Sequence, residues 1–586
     1  MTPRWIVSEP APPAEREALC RALGLAPLVA DLLVRRGVSE PAAAEAFLRP
    51  RLEHLHDPFL LRGMDAAVAR LVRALEAGER VVVSGDYDVD GITSSALLTQ
   101  FLRAAGARGL DFFIPNRFEH GYGLTPRTVD ALLALRPALV VTVDNGITAV
   151  AEVARLRAAG IDTIVTDHHL PRAEGVPAGI VVNPAQPGCP YPFKKISGCG
   201  VAFKLVTALR KTLRERGWWS AARPEPNLKD CLDLVAIATV ADVVPLLGEN
   251  RVLVNAGLAV LNRPPAQRRP GVQALLDANP RNDGTRPVTA RTIAFQIGPR
   301  LNAAGRMTEG ALGVELLLGT EPGQVAALAA RLEGENDTRR ARGEAMFREA
   351  VQRIEADALA EAPGIVVASP EFHEGIIGIV ASRLVERYHR PCLVLAENGS
   401  AYKGSARSVP GLNVTEAIAA GAPLLEEYGG HAGAAGCRLP KAALGDFTAR
   451  FQAACARLAA QAETAAGPLV RLDARLERDA LAPAAAERLV EQLAALEPFG
   501  HENEEPAFLL EQALLPEPPQ VLKGRHLKWR LASGVEMVGW NLAEGFAPEP
   551  GLWYRVRLGL NEYRGRRTVQ LTVDEVQPRA RVGGGA

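Results

Sequence analysis

The stretch from Val81 to Gly91 (Val-Val-Val-Ser-Gly-Asp-Tyr-Asp-Val-Asp-Gly) joins a short apolar run to three carboxylates on alternate positions. Every second side chain of an extended segment points to the same side, so Asp86, Asp88 and Asp90 are expected to crowd together. Ionised carboxylates a few ångströms apart repel one another and raise each other's pKa unless a cation lies among them. The stretch therefore predicts a metal site at the end of a buried strand.

Strand-like and helical segments alternate from this point. A helix is predicted over Ile92–Ala104, with Thr93, Ser94 and Ser95 near its start as capping residues. Continuous Val/Ile-rich runs that alternate with helices are typical of a parallel sheet covered on both faces. The predicted strands are Val81–Gly85, Asp111–Pro115, Ala138–Asp144 and Asp162–Asp167.

Polar side chains follow each of these strands. Open parallel sheets bind their ligands outside the carboxyl ends of the strands, so these groups are candidates for one shared site. They are Asp86, Asn116-Arg117, Asp144-Asn145-Gly146 and Asp167-His168-His169.

The next part of the chain is predicted to be mainly helical. The helices Cys199–Arg214, Cys231–Ala241 and Arg251–Leu261 follow, and the second of them leads into Asp242. A glycine-bounded loop is predicted over Gly298–Arg306. One long helix is predicted over Pro322–Ala360, with Gly334 and Gly343 as points where it could be interrupted.

A second α/β pattern begins after Pro363, and its predicted elements are strand Ile365–Ala368, helix Ile376–Tyr388 and strand Cys392–Leu395. The glycine-rich stretch from Tyr428 to Gly436 closes it. Beyond about residue 466, short strands with interleaved basic and aromatic residues predict a small barrel.

A chain of 586 residues exceeds what one core usually supports, so about three or four domains are expected. The fold class is α/β. The predicted division is a helical element (1–55), a parallel-sheet domain (56–320), a connecting helix (321–360), a smaller α/β domain (361–465) and a C-terminal β-barrel (466–586).

Four carboxylates and an imidazole form the candidate metal set: Asp88, Asp90, Asp144, Asp242 and His168. Oxygen-rich sets without sulfur suit Mn²⁺ or Mg²⁺, and four negative charges are balanced by two divalent cations. Paired divalent cations are typical of phosphoester hydrolysis. The alternative for each single aspartate is a helix N-cap. Neighbouring histidines in an extended segment point opposite ways, so His168 is interpreted as a ligand and His169 as a support or phosphate contact.

Composition narrows the class of protein. No run of eighteen apolar residues is present, and Met1–Pro13 lacks an apolar signal region, so a soluble cytoplasmic protein without a membrane segment is expected. The seven cysteines never form a Cys-x-x-Cys pair, which favours reduced thiols over disulfides or zinc. The 67 basic and 67 acidic residues cancel, so any nucleic-acid partner must be recognised by local patches.

The ordered series of motifs resembles the DHH phosphoesterase superfamily, whose Asp-His-His is here Asp167-His168-His169. Within it, the chain is similar to the bacterial single-strand-specific 5′ to 3′ DNA exonucleases. The motifs that carry the resemblance are Asp86–Gly91, Asn116-Arg117, Gly121-Tyr122-Gly123, Asp144–Gly146, Asp167–His169, Ser197–Ala202, Thr239–Asp242, Gly298–Arg306, Gly404–Ser408 and Gly430-His431.

The resemblance implies roles for individual residues. It places two divalent cations, Mn²⁺ or Mg²⁺, on Asp88, Asp90, Asp144, His168 and Asp242, with Asp233 as a competitor for the last position. It gives Asp86 and His169 supporting roles in catalysis. The implied substrate contacts are Asn116, Arg117, Tyr122, Arg300, Arg306, Ser405, Arg407 and His431, and three of them (Arg117, Ser405 and Arg407) are placed at a 5′-terminal phosphate.

The resemblance further implies that residues 361–465 form a DHH-associated domain and that the last domain is an OB-fold. Independently, residues 521–586 hold eleven Lys/Arg and six Asp/Glu. Cations beside aromatics suit sequence-independent single-strand binding, although strand aromatics are also common in cores. The candidates are His526, Lys528, Trp529, Arg530, Trp553, Tyr554, Arg555, Arg557, Tyr563, Arg564, Arg566 and Arg567. One departure from the family pattern is the acid-rich segment Phe499–Pro506.

The function implied is stepwise release of 5′-mononucleotides from single-stranded DNA during repair and recombination. The expected protein is a monomer, helped by a single-strand-binding protein and a RecQ-type helicase. Two alternatives remain: a DHH hydrolase of short oligoribonucleotides, cyclic dinucleotides or pyrophosphate, and a non-catalytic replication scaffold. The basic terminal domain argues against the first alternative, and the complete set of candidate ligands argues against the second.

Overall fold

A computed structural model describes residues 4–173, 175–278, 286–461, 469–544, 546–563, 566–579 and 582–583. It confirms an α/β chain with several hydrophobic cores. Among the described residues, no helix combines the length and the apolar character needed to cross a membrane.

The N-terminal element contains one strand and three helices, each helix opened by a proline in its first turn, where the missing N–H has no intrahelical role. The elements are β1 (Arg4–Val7), α1 (Pro13–Leu23), α2 (Pro27–Arg35) and α3 (Pro41–Leu48).

The first large domain alternates strands and helices and then becomes helical. Its alternating part contains α4 (Met64–Ala77), β2 (Arg80–Ser84), α5 (Val89–Ala104), β3 (Gly109–Phe113), α6 (Pro126–Leu135), β4 (Leu139–Val143), α7 (Val150–Ala158), β5 (Asp162–Thr166) and β6 (Ile180–Val182). Its helical part contains α8 (Gly198–Glu215), α9 (Leu232–Ala241), α10 (Gly248–Leu261), α11 (Pro270–Asp277), α12 (Ala290–Thr292), a π-helix (Ile293–Ile297), α13 (Gly298–Met307) and α14 (Ala311–Leu318).

The sheet of this domain is parallel throughout, with strand order β3-β2-β4-β5-β6. From β2 the chain moves to β3 on one side and then to β4 on the other, so the strand order reverses between β2 and β4. Loops part at such a switch point and leave a crevice for a ligand. The predicted strands are confirmed within two residues at each end, whereas β6 was missed.

The predicted loop over Gly298–Arg306 is wrong, because these residues form helix α13. Pro299 stands in the first turn, where proline favours helix initiation. The glycines serve close packing instead. A Cβ on Gly305 would lie 2.2 Å from the carbonyl oxygen of Tyr87, so α13 packs directly against the carboxylate loop.

One continuous helix, α15 (Pro322–Ala356), connects the first domain to the second, as predicted, and Gly334 and Gly343 do not interrupt it. Its first half buries Val325, Ala329 and Leu332 in the core of the first domain. Its second half buries Met346, Ala350 and Ile354 in the core of the next. Since both ends are packed into cores, the helix is a stiff connector.

The second domain has a mixed sheet in the order β10-β11-β9-β8-β7, in which only β7 and β8 are parallel. The glycine-rich stretch forms the hairpin of β10 and β11 at one edge. The elements are β7 (Ile365–Ser369), α16 (Ile377–Tyr388), β8 (Cys392–Asn398), β9 (Ala401–Arg407), α17 (Val414–Ala419), β10 (Glu427–His431), β11 (Ala434–Pro440) and α18 (Leu444–Gln461).

The C-terminal domain contains a seven-stranded sheet in the order β13-β14-β18-β19-β17-β16-β15. Two of its strands span 12 and 13 residues and are longer than the short strands predicted. The elements are β12 (Leu469–Leu472), β13 (Ala474–Arg475), α19 (Pro483–Ala494), β14 (Phe508–Glu511), β15 (Gln520–Leu522), β16 (His526–Arg530), β17 (Glu536–Gly539), β18 (Leu552–Tyr563), β19 (Arg566–Pro578) and β20 (Val582–Gly583).

The N-terminal element packs with this last domain. Strand β1 lies between β12 and β20 and pairs with both in parallel. Buried side chains of α1 to α3, among them Leu19 and Leu33, share a core with Trp529 and Tyr554. Deleting residues 466–586 alone would therefore expose the apolar face of residues 4–48, so the first and last segments must be removed together.

Arg251 of α10 joins the first domain to both chain ends. Its buried guanidinium satisfies carbonyls just beyond α19, where a helix end leaves carbonyls without partners. Burial and then the nearby Arg36 lower the pKa of Arg251 to about 10. The acceptors are the carbonyls of Phe47 (2.7 Å), Ala495 (2.9 Å), Leu496 (2.8 Å) and Glu497 (2.6 Å).

Arg251→Met is expected to lower the midpoint of thermal unfolding, because each buried carbonyl left unsatisfied costs about 1–3 kcal/mol. Protease sensitivity of the 495–506 segment should rise at the same time. The control is Arg49→Met, which removes an exposed arginine of the N-terminal element. An unfolding midpoint equal to that of the control would contradict the conclusion that Arg251 joins the first domain to the chain ends.

Candidate active site

The carboxylate loop after β2 does not continue as a strand but enters a helix at Val89, so the predicted alternation of side chains is wrong. Asp88 is the N-cap of α5 and accepts a hydrogen bond from Gly91 N (3.1 Å), and Asp90 lies in the first helical turn. Thr93 and Ser95 do not cap the helix, because their hydroxyls donate back to carbonyls of the preceding turn. The first turn of a helix therefore presents the carboxylates to the switch point.

Asp90 is buried and accepts two backbone hydrogen bonds, from Gly198 N (2.7 Å) and Cys199 N (2.7 Å). These N–H groups belong to the first turn of α8, where a helix has free donors and favours a negative charge. Burial, and then the neighbouring Asp88, nevertheless raise the pKa of Asp90 to about 7. The carboxylate is therefore held in place close to other carboxylates.

Asp144 follows β4 in a left-handed backbone conformation with a φ of 62°. This uncommon conformation for a residue other than glycine directs its buried carboxylate to the imidazole of His168, with Oδ1 3.1 Å from Nε2. Burial, followed by the charge of Asp90, raises the pKa of Asp144 well above its ordinary value. Burial lowers the pKa of His168 to about 4, so this imidazole is neutral and offers a lone pair.

Asp242 completes the group at the C-terminal end of α9, with Oδ2 3.6 Å from His168 Nε2. Burial and then Asp90 raise its pKa to about 9. The competitor Asp233 is not brought to the group, because its buried carboxylate pairs with Arg269 at 2.7 Å. The geometry therefore favours Asp242 for the last ligand position.

Asp86 and His169 lie beside this group. The Asp86 carboxylate is buried and accepts from Gly123 N (3.3 Å). His169 bonds Asp167 through Nδ1 (2.8 Å) and the Tyr122 hydroxyl through Nε2 (3.3 Å). Burial disfavours the charged form of His169, but Asp167 outweighs it and raises the pKa to about 9. Asp167 fixes the His169 ring through this hydrogen bond. Asp167 was predicted only as part of the Asp-His-His motif, without a role of its own.

The donor set fits divalent cations. Asp144 Oδ1 and His168 Nε2 are buried and have no hydrogen-bond partner among the described residues, although they face each other. Ligand atoms of Asp90, His168 and Asp242 lie within 4.8 Å of one another, as do those of Asp144, His168 and His169. Crowded carboxylates beside a neutral imidazole are what Mn²⁺ or Mg²⁺ would neutralise.

Three arginines from two domains converge beside this group: Arg117 after β3, Arg306 of α13 and Arg407 of β9. Burial and then Arg117 lower the pKa of Arg306 to about 10, and the same two causes lower that of Arg407. None of the three forms an ion pair with a carboxylate within the described part of the chain. Arg407 Nη1 donates to Ser405 Oγ (3.0 Å), so the predicted serine and arginine are adjacent. Unpaired cations of this kind favour an anionic ligand.

Other predicted substrate contacts are placed differently. The prediction for Arg300 is not supported, because its buried guanidinium donates to Glu333 and to the Gln296 carbonyl (2.7 Å). The amide oxygen of Asn116 accepts from Phe118 N (2.9 Å) and so stabilises a turn. His431 lies exposed on the edge strand β10.

Two positioning groups were included in predicted motifs but were given no role of their own. Asn302 of α13 accepts from Val89 N (3.2 Å) and so ties α13 to the carboxylate loop. Asn145 donates to the carbonyls of Ser84 (3.2 Å) and Val143 (2.9 Å) and ties the ends of β2 and β4 together. Polar residues near strand ends were visible in the sequence, but their partners lie far along the chain.

Gly198→Ala is expected to disturb the site without unfolding the protein. A Cβ at this position would lie 2.7 Å from both Cβ and Oδ1 of Asp144. Displacing a group that orients ligands typically costs about 10–100-fold in metal affinity or activity. Titration of activity with Mn²⁺ measures the effect. The control is Gly334→Ala in α15, where nothing lies within 4 Å, and equal Mn²⁺ dependence of both variants would contradict the expectation.

In the C-terminal domain, Trp529 and Tyr554 are core residues rather than ligand contacts, with ring centroids 5.5 Å apart. Lys528 pairs with Glu536, and Arg555 and Arg557 pair with Asp574. Tyr563, Arg564 and Arg566 lie outside the described side chains. An exposed basic rim remains, formed by Lys523, Arg525, Arg530 and the aromatic Trp540, and of these four only Arg530 was predicted.

Family models match three parts of the chain. The model of the DHH family, N-terminal domain, matches residues 80–239, and the DHHA1 domain matches residues 361–457. The RecJ OB domain matches residues 473–575. These matches cover the sheet with the carboxylates, the domain that carries Arg407, and the seven-stranded sheet.

Known proteins resemble the whole chain. The single-stranded-DNA-specific exonuclease RecJ of Escherichia coli (strain K12) is 37% identical, covering 94% of this chain and 96% of that protein. The crystal structure of RecJ from Thermus thermophilus in complex with Mn²⁺ superposes with a TM-score of 0.82 at 35% identity, covering 100% of this chain and 81% of that one. The complex with Mg²⁺ gives 0.76 at 33% identity, covering 100% and 80%.

Proposed function

Since the chain belongs to the RecJ family of DHH phosphoesterases, we infer that it is a single-stranded-DNA-specific exonuclease that uses Mn²⁺ or Mg²⁺. The observation that carries this function is the group of crowded carboxylates around a neutral His168, faced by three unpaired arginines. In such a site the arginines neutralise a phosphate from one side, and the carboxylates and His168 hold cations on the other.

We propose that Asp88, Asp90, Asp144, His168 and Asp242 hold two divalent cations. Bound cations of this type activate water and offset the charge that builds up on a scissile phosphate. The protein contributes fixed geometry, because the α8 amides hold Asp90 and the left-handed backbone aims Asp144. His169, charged through its bond to Asp167, stands beside the group and is suited to contact a phosphate oxygen.

The arginines provide the polarity of the reaction in this proposal. Arg117, Arg407 and Ser405 would hold a 5′-terminal phosphate, since arginine donates two hydrogen bonds to one phosphate. Anchoring the 5′ end beside the carboxylates leads to stepwise release of 5′-mononucleotides. The basic rim of the C-terminal domain (Lys523, Arg525, Arg530 and Trp540) would hold the strand farther along by charge and stacking.

In the cell, the proposed enzyme acts as a cytoplasmic monomer in DNA repair and recombination, beside a single-strand-binding protein and a RecQ-type helicase. All seven cysteines are free, which suits a reducing compartment. The alternative of a small-substrate hydrolase leaves the OB domain without a role. The alternative of a non-catalytic scaffold leaves the converging carboxylates unexplained.

Digestion of labelled DNA strands tests the proposed function. Single strands blocked at the 5′ end, blocked at the 3′ end or annealed into a duplex are incubated with Mn²⁺ or Mg²⁺. The expected result is release of mononucleotides from single strands with a free 5′ end alone. Digestion of duplex, or digestion from the 3′ end, would overturn the proposal.

A further inference from the structure

Phe295 is an exposed phenylalanine that lines a cavity together with the chain neighbours of Asp242, and it has no role in the site described so far. Phe295 is 66% exposed, with Arg291 over one face of its ring (5.4 Å to the centroid), while Ile293 and Ile297, two residues away on each side, are buried. These residues form the π-helix, in which Gly298 N reaches back five residues to the Ile293 carbonyl. Short π-helical turns are frequent at functional sites, because the wider turn displaces a side chain from the regular helix surface.

Phe295 borders a cavity of about 350 Å³ that begins next to Asp242. The cavity volume lies in the range of small-ligand sites. Its lining includes Val240, Ala241 and Val243, which lie next to Asp242 in the chain, together with Ile379 of the second domain. The cavity therefore opens between the two domains at the edge of the carboxylate group.

The cavity also contains two arginines without carboxylate partners among the described residues, Arg306 and Arg339. Arg339 Nε is buried and makes no hydrogen bond there, and Nη2 donates to the neutral Asn336 (2.8 Å). The two guanidinium groups carry the same charge and border the same cavity. Cations that are desolvated and unpaired are costly unless an anion joins them.

We propose that this cavity is a nucleotide subsite for the DNA strand, in which Phe295 stacks on a base and Arg306 and Arg339 bind the adjoining phosphates. The proposal rests on the proposed function and names residues that hold the substrate near the scissile bond. An aromatic face binds any base, and arginine binds any phosphate, so the subsite is independent of sequence. A free anion would satisfy the arginines but would leave Phe295 exposed.

The test uses the full chain with Mn²⁺ and single strands that carry one abasic nucleotide at successive positions from the 5′ end. Phe295→Ala should raise the KM for normal strands about 5- to 150-fold, the range given by the stacking of one base, and leave kcat nearly unchanged. Phe295→Trp should restore KM, whereas Phe295→Leu should not, because leucine covers the cavity without stacking.

Abasic strands and salt dependence locate the subsite. For the unaltered protein, an abasic nucleotide at one position of the strand should raise KM as much as Phe295→Ala does on a normal strand. For Phe295→Ala, an abasic nucleotide at that position should raise KM no further. Arg339→Met should reduce the slope of log binding constant against log salt by about one phosphate contact, measured by fluorescence anisotropy on a phosphorothioate strand. Equal KM for Phe295→Ala and the unaltered protein at every position would overturn the subsite. Absence of digestion by the unaltered protein would instead overturn the proposed function.

Discussion

Asp144→Asn is expected to abolish cleavage, with a loss larger than the roughly 10–100-fold typical of a residue that only orients a ligand. Asp144 supplies a buried carboxylate oxygen without a hydrogen-bond partner among the described residues, 3.1 Å from His168, so the substitution removes a direct donor from the centre of the group. Asparagine is preferred to alanine because it tolerates the left-handed backbone at this position. Turnover of a labelled single strand at saturating Mn²⁺ measures the loss.

Stability separates this loss from unfolding. Burial and the charge of Asp90 raise the pKa of Asp144, so its stabilising contribution is present at low pH and lost as the pH rises through the folded pKa. Near pH 8 without metal, Asp144→Asn should therefore unfold at a higher temperature than the unaltered protein. Binding of a 5′-phosphorylated strand should persist. The control is Asp65→Asn, an exposed aspartate of α4. Near-normal cleavage by Asp144→Asn would contradict the assignment.

Arg407→Ala is expected to remove the preference for a 5′-phosphate. Its Nη1 is occupied by Ser405 Oγ and the Ala406 carbonyl (2.8 Å), while Nη2 donates to no described residue. Hydrogen bonds to charged groups contribute about 1.5–3 kcal/mol, which corresponds to about 10- to 150-fold in KM for a phosphorylated strand. The ratio of kcat/KM for 5′-phosphate and 5′-hydroxyl strands measures the effect.

The control for Arg407 is Arg450→Ala, which removes an exposed arginine from α18 of the same domain. It should leave the ratio unchanged. If Arg407→Ala also leaves the ratio unchanged, the terminal phosphate is bound elsewhere. If both variants lower the rate on both strands equally, the effect belongs to general electrostatics rather than to recognition of the 5′ end.

The strands and the position of the site were predictable, because continuous apolar runs end abruptly in polar groups. The local backbone geometry that positions the carboxylates was not predictable. Asp88 and Asp90 alternate as in a strand, but Asp88 caps a helix and Asp90 lies inside its first turn. Acidic residues at three alternate positions fit either a strand or the start of a helix. The contact that holds Asp90 in the helix comes from the amides of α8, which lie far along the chain. The Asp-Asn-Gly sequence at 144–146 fits a turn with a left-handed backbone, but the proximity of the Asp144 carboxylate to His168 depends on the whole sheet.

Long-range partners limited the prediction in a second way. Arg300 and Arg306 occur in one motif and were predicted to act alike, but α13 buries Arg300 against Glu333. In the C-terminal domain, Trp529 lies between Lys528 and Arg530 in a strand but is core, whereas Trp540, just after β17 and without basic neighbours in the sequence, is exposed. The pairing of β1 with β12 joins residues more than four hundred positions apart, which local patterns do not encode.

The number of Mn²⁺ ions bound by the folded chain tests the two-cation site most directly, and equilibrium dialysis with electron paramagnetic resonance of the free ion measures it. We predict about two ions per chain, and loss of binding on Asp144→Asn. We also predict that Asp233→Asn, although it breaks the pair with Arg269, retains both ions. Binding of no ions by the unaltered chain, or unchanged binding by Asp144→Asn, would contradict the site.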